Sequence, residues 1–214
     1  MGFFDKIDMT KKSNNPAPSI INLKKAGDSH TIDLGKKTGE ILINLNWRTT
    51  VEKKGLFGLL SKENIDLDLG CMYRLKDGRQ SVIQALGNTF GSVTSAPFIG
   101  LDKDDRTGTS TDGENLRFTR PDMLDYVVVF AFIYEGVPNW SAAKGVVTVK
   151  QQGSPDIVIN LDNPDNGRIM CALVSIENKN GSLVLTRQER YFHGHEDLDR
   201  TYRFGFNWVA GSKD

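Results

Sequence analysis

Acidic side chains offer most of the chemistry in this chain. The run 101-LDKDDRTGTSTDGENL-116 holds Asp102, Asp104, Asp105, Asp112 and Glu114, opposed only by Lys103 and Arg106. A second group, 64-NIDLDLG-70, sets Asn64, Asp66 and Asp68 at i, i+2, i+4. In a strand this spacing aims the three polar side chains to one face, and Ile65, Leu67 and Leu69 to the other. Carboxylates so close repel unless water or a cation separates them. Calcium takes roughly six to eight oxygens in loose geometry, and a row of hard oxygens suits it. For either motif alone, a solvated acidic surface is the competing reading.

The acidic run is not an EF-hand. A frame starting at Asp102 puts Arg106 at the fifth position, Thr107 at the sixth and Gly113 at the twelfth, and a frame starting at Asp104 puts Arg106 at the third. A cation here would sit between loops, with Gly108 and Gly113 supplying turns. His193 and His195 in 191-YFHGHED-197 stand at i, i+2, which in a strand would aim both imidazoles one way and, with Glu196, Asp197 or Asp199, could hold Zn²⁺. Polar residues at a strand end, touching a partner, are the plainer account of that pair. Catalytic patterns are poor: there is no Ser-His-Asp order, no Gly-rich phosphate loop before a helix and no Cys with a sensible His. The pair Asp66 and Asp68 resembles the paired aspartates of a phosphatase, but Leu69-Gly70 follows and the surrounding pattern is all-β.

The elements that must carry these residues have a period of two. Segments 40–47, 64–75, 81–86, 115–120, 126–134, 145–151, 156–161, 169–178, 182–192 and 202–209 are rich in β-branched and aromatic residues. Lys179-Asn180-Gly181 and Lys76-Asp77-Gly78 read as hairpin turns. Helical periodicity is confined to 121–125 and 195–200, each a turn or two. The expected fold is all-β, a sandwich of about ten strands with few short helical turns. Residues 1–18 read as a tail and linker bearing Phe3, Phe4 and Ile7, and residues 19–214 as one domain.

Composition narrows the classes. The 214 residues suffice for a substantial core, and 38% apolar with 25% charged is ordinary for a globular protein. With 27 basic and 27 acidic residues there is no basic field for nucleic acid. Cys71 and Cys171 lie in apolar runs and read as buried free thiols. No run approaches the ~18 apolar residues of a membrane span, and no leader pattern opens the chain, so a soluble, cytoplasmic protein is expected.

Four stretches in order, 44-NLNW-47, 64-NIDLDLG-70, 104-DDRTGTSTDGENL-116 and 127-VVVFAFIYEG-136, resemble the TerD domain of tellurium-resistance and stress proteins. That pattern has a Gly-Trp-Asp strand end, an Asp-x-Asp-x-Asp strand, a Gly-Asp-Asn-Arg-Thr-Gly loop and an apolar strand ending in an acid. The resemblance runs from about residue 20 to 178, and 191–213 resembles the TerA-type branch. It implies a C2-like β-sandwich that binds Ca²⁺ at one end through aspartates of converging loops. Residue by residue, Asp66, Asp68 and Asp104 match the motif aspartates, Glu114 falls in the later acidic stretch and Glu135 matches the acidic strand end. Asp105 and Asp112 complete the expected ligand set. Arg48 replaces the Asp usual after the Trp, and Asn64 replaces the first aspartate of the triple, so one of two calcium positions is expected to be weakened.

The resemblance further implies a non-enzymatic role in tellurite resistance and stress response, through assembly with other proteins of that system. Leu56, Phe57, Leu59 and Leu60 form an apolar tip between Lys53, Lys54 and Lys62. Such a tip beside a cation site can touch a membrane or partner, or fold back over the sandwich. A metal-dependent hydrolase using the same carboxylates is the alternative from another class, and a scaffold with empty acidic loops is a third.

Overall fold

The computed structural model describes residues 19–35, 39–54, 60–102, 113–134 and 139–209, with backbone only for 51–54 and 60–63. Two sheets and a separate hairpin account for the strands among them. The first sheet contains β1 (Ile21–Asn22), β3 (Ile41–Asn46), β8 (Gly91–Ser92), β9 (Ile99–Leu101), β10 (Glu114–Phe118), β12 (Val146–Gln151) and β13 (Ile157–Asn160). Its order is β1-β13-β12-β3-β10-β9-β8. The second contains β2 (Ser29–Asp33), β6 (Leu67–Leu75), β7 (Gln80–Ile83), β11 (Leu124–Ile133), β14 (Met170–Lys179) and β15 (Ser182–Phe192). Its order is β2-β15-β14-β11-β6-β7. β4 (Thr50–Lys54) and β5 (Leu60–Asn64) pair only with each other. The expected all-β sandwich is therefore observed.

Alternation builds the interior. Ile41, Ile43 and Leu45 of β3, Leu116 and Phe118 of β10, and Val147 and Val149 of β12 project from one sheet. They meet Leu67, Leu69 and Cys71 of β6, Val127, Val129 and Ala131 of β11, and Leu183 and Leu185 of β15 from the other. Both cysteines are fully buried free thiols, as expected. The predicted turns also form. Asn180 and Gly181 take φ of 55° and 87° between Lys179 and its partner Ser182, as a tight right-twisted hairpin requires. Gly78 takes φ of 85° in the β6–β7 turn.

Part of the second sheet is buried on both faces, which one-sided alternation does not suggest. Met72, Val128, Phe130, Phe132, Met170, Ala172 and Phe192 form a second cluster on its outer side, closed by Leu198 and Phe204. The cover is α2 (His195–Tyr202) and the extended segment 203–209 that follows it. Segment 202–209, expected as a strand, is not one. Asp199 explains the difference: its Oδ1 accepts from the Gly205 N–H at 2.7 Å and its Oδ2 from the Phe206 N–H at 2.8 Å. Donors taken by a carboxylate are unavailable to a ladder. Arg203 closes α2 in the left-handed region, φ 61°, with its N–H on the Asp199 carbonyl.

Candidate functional site

Strand directions bring the candidate acids to one end of the sandwich. Asn46 at the close of β3 pairs with Val146 at the start of β12, and Leu45 pairs with Glu114 at the start of β10. In the other sheet Ile133 at the close of β11 pairs with Leu67 at the start of β6. The sheets meet at this end through Glu114, whose Oε2 accepts a hydrogen bond of 2.5 Å from the Leu69 N–H. The chain therefore enters and leaves segment 103–112 here, at Asp102 and Gly113. It also leaves β11 toward residue 135 at the same end.

Local packing fixes the approach to Asp66. Trp47, half-buried against the core, donates its Nε1–H to the Ile65 carbonyl at 2.9 Å, and the Ile65 N–H donates to the Thr49 carbonyl at 2.9 Å. The segment that follows β3 and the residue preceding Asp66 are thereby locked together. On the far side, the Arg48 N–H donates to the carbonyl of Ala143, the last residue of α1 (Trp140–Ala143), at 2.7 Å. Trp140 is itself buried, with its Nε1–H on the Arg168 carbonyl at 2.7 Å.

Asp66 is half-buried just before β6, and Asp68 is fully buried within it. Leu67 and Leu69 face the interior as expected, but two parts of the expected row need correction. Asn64 belongs to β5, exposed and paired with Thr50, so Asn64, Asp66 and Asp68 are not one strand. Nor is the face of Asp68 a solvated polar one. Asp68 stands opposite Phe132 on the outer side of the sheet, where the aromatic cluster and α2 exclude water. Gly70, next on that face, is tightly enclosed: a Cβ there would lie 2.7 Å from both the Ile83 carbonyl oxygen and the Phe130 ring. Gly113, which leads into Glu114, has φ of 69°, and a Cβ on it would fall 2.1 Å from the Leu45 carbonyl oxygen. Only glycine fits at the threshold of that carboxylate.

Asp104, Asp105, Asp112 and Glu135 lie outside the described residues, as do residues 56–59 of the apolar tip. Among the described residues no three His, Cys, Asp or Glu side chains stand close enough to hold an ion. Asp66, Asp68 and Glu114 thus offer hard oxygens at the right end but do not by themselves complete a centre. Carboxylate oxygens are the donors that calcium prefers.

The two histidines do not pair. β15 ends at Phe192, leaving His193 exposed, whereas His195 opens α2 and lies among Phe130, Phe132 and Trp208, with ring centroids 5.4, 5.2 and 5.0 Å away. Burial holds its pKa down to about 4, so the ring is neutral at ordinary pH.

One polar constellation was not anticipated. Arg187, 2% exposed, donates to the Leu23 carbonyl at 2.7 Å, the Asn160 carbonyl at 2.9 Å, Asp162 Oδ1 at 2.5 Å and the buried carboxylate of Glu189. The alternation Leu183, Leu185, Arg187 carried the signal, because it places the guanidinium on the core face. A bulge opposite Leu173 accommodates Gln188 and Glu189, the latter at φ 42°.

No family model matches the chain. Among curated proteins, the tellurium resistance protein TerA of an Alcaligenes species is 42% identical over 201 residues, 91% of this chain. The chain spans 59% of that relative's length. The similarity agrees with the resemblance to tellurium-resistance proteins that the motif order suggests.

Proposed function

We infer that this chain, a homologue of a TerA tellurium resistance protein, serves a tellurite-resistance or stress role as a calcium-binding interaction module and not as an enzyme. The observation that carries the reading is that Asp66, Asp68 and Glu114 lie at the same end of the sandwich as both flanks of segment 103–112. Asp66, Asp68, Asp104, Asp105, Asp112, Glu114 and Glu135 would hold the ion. Bound there, calcium would neutralise the loops and fix their shape, making a surface for another protein of the same system or, through the 56–60 tip, for a membrane. The setting proposed is the cytoplasm, with residues 19–214 acting as one domain. Among the described residues no helix is long and apolar enough to cross a membrane.

Buried thiols weigh against direct thiol chemistry on tellurium. Burial pushes the thiols of both Cys71 and Cys171 up, far from the thiolate form that reacts.

Thermal melting during calcium titration tests the reading. Binding to the folded state alone should stabilise it by about 2.7 kcal/mol at one hundred times the dissociation constant. The gain should disappear in a protein carrying Asp66→Ala and Asp104→Ala. No shift at millimolar calcium, or a shift that survives both substitutions, would refute the metal site. Turnover of generic phosphoester or glycoside substrates would instead favour a hydrolase.

A further inference from the structure

A cavity lies on the outer side of the second sheet, between the β7 edge and the C-terminal cover. It measures about 580 Å³ and is walled by Gln84, Leu86, Thr89, His195, Phe206 and Trp208, among others. Its volume is in the range of pockets that hold small molecules.

Two of the lining residues each carry a buried polar atom with no hydrogen-bond partner among the described residues, Gln84 Oε1 and His195 Nε2. Gln84 is 7% exposed. Its backbone is held on both sides, the N–H donating to the Thr89 carbonyl at 3.0 Å and the carbonyl accepting from Thr89 Oγ1 at 3.2 Å. The residue therefore stands on a rigid turn. Buried polar atoms are nearly always paired, and two orphans in one cavity point to a missing partner.

The opposite wall is equally fixed. Trp208 donates its Nε1–H to Asp199 Oδ2 at 2.9 Å, and Phe206 is tied to the same carboxylate through its N–H. The Phe206 and Trp208 rings meet edge to face, with centroids 5.9 Å apart. No charged side chain lines the cavity among the described residues, and its histidine is neutral. Such walls offer an anion or a cation nothing to offset its desolvation.

We propose that this cavity binds an uncharged, ring-bearing small molecule, oriented by an N–H or O–H that donates to Gln84 Oε1 while His195 Nε2 takes a second polar group. The aromatic walls supply flat apolar contact, and the two polar atoms supply orientation. Binding here would not require calcium at the acidic end.

Saturation-transfer NMR on the intact chain tests it with indole, nicotinamide and adenine as probes, against toluene, which lacks a donor, and benzoate, which is charged. At least one of the first three should bind, and toluene and benzoate should not. Gln84→Met keeps the length and removes the acceptor, so it should weaken binding by about tenfold, the ordinary worth of one buried hydrogen bond. His195→Phe keeps the ring and should weaken it as well. Shift mapping on the ¹⁵N-labelled wild type needs no variant to fold, and should move the Trp208 indole N–H and the Gln84 side-chain amide. Binding of none of the three probes, unchanged affinity in folded Gln84→Met, or shifts mapped elsewhere would overturn the proposal.

Discussion

The Glu114 carboxylate, on the core face of one sheet, accepts a hydrogen bond of 2.5 Å from the backbone N–H of Leu69 in the other. β7 pairs with β6 only from Cys71 to Arg74, so no strand supplies Leu69 with a partner on that edge. A charged acceptor on a buried N–H is one of the stronger hydrogen bonds available to a protein. The contact joins the sheets at the end where the acidic segments begin. Glu114→Ala should lower unfolding free energy by about 2 to 3 kcal/mol, because the buried donor is left unpaired. Urea denaturation measures it, and Glu114→Gln should recover part of the loss.

Gly113→Ala tests the threshold itself. The added Cβ meets the Leu45 carbonyl oxygen, and the residue must hold a left-handed φ. A cost of about 1 to 3 kcal/mol is expected, larger than for the exposed Gly153, where φ is also positive but an added Cβ would meet nothing within 4 Å. Paired thermal melts of the two alanine variants provide the comparison. Equal losses would show that the crowding at Leu45 is relieved.

Arg187 and Glu189 form an ion pair in which both side chains are 2% exposed. Burial works against the guanidinium charge, and the bonds to Glu189 and Asp162 outweigh it, holding its pKa above the usual arginine range. Arg187→Met leaves a buried carboxylate without its cation, and should cost about 3 to 5 kcal/mol. Adding Glu189→Met should restore much of that loss. A double-mutant cycle in urea reads the coupling directly.

His195 predicts a pH dependence with a definite sign. Its folded pKa, about 4, lies below the ordinary 6.5, so between these values the unfolded chain takes up a proton that the folded chain refuses. Stability is therefore full above pH 6.5 and falls as pH drops toward 4. The loss should total about 3 kcal/mol. The rings facing His195 are Phe130, Phe132 and Trp208, none of which titrates there. In His195→Phe the slope of unfolding free energy over this window should flatten by that amount.

Alternation in the sequence determined the sandwich. Ile41, Ile43 and Leu45, like Val147 and Val149, have one apolar face that must be buried, and Asn180-Gly181 can hold a left-handed turn at little cost. It also marked Asp66, Asp68 and Glu114 as unusual, since carboxylates beside core strands need a reason.

Only the tertiary structure decided what covers the outer face of the second sheet. Residues 202–209 alternate like a strand, but Asp199 captures their N–H groups and lays them over Phe130 and Phe132 as a cap. That cap placed Asp68 on a dry face and separated His193 from His195. Period-two spacing gives the side on which a residue projects. Whether that side meets water depends on chain distant in sequence, which local pattern does not encode.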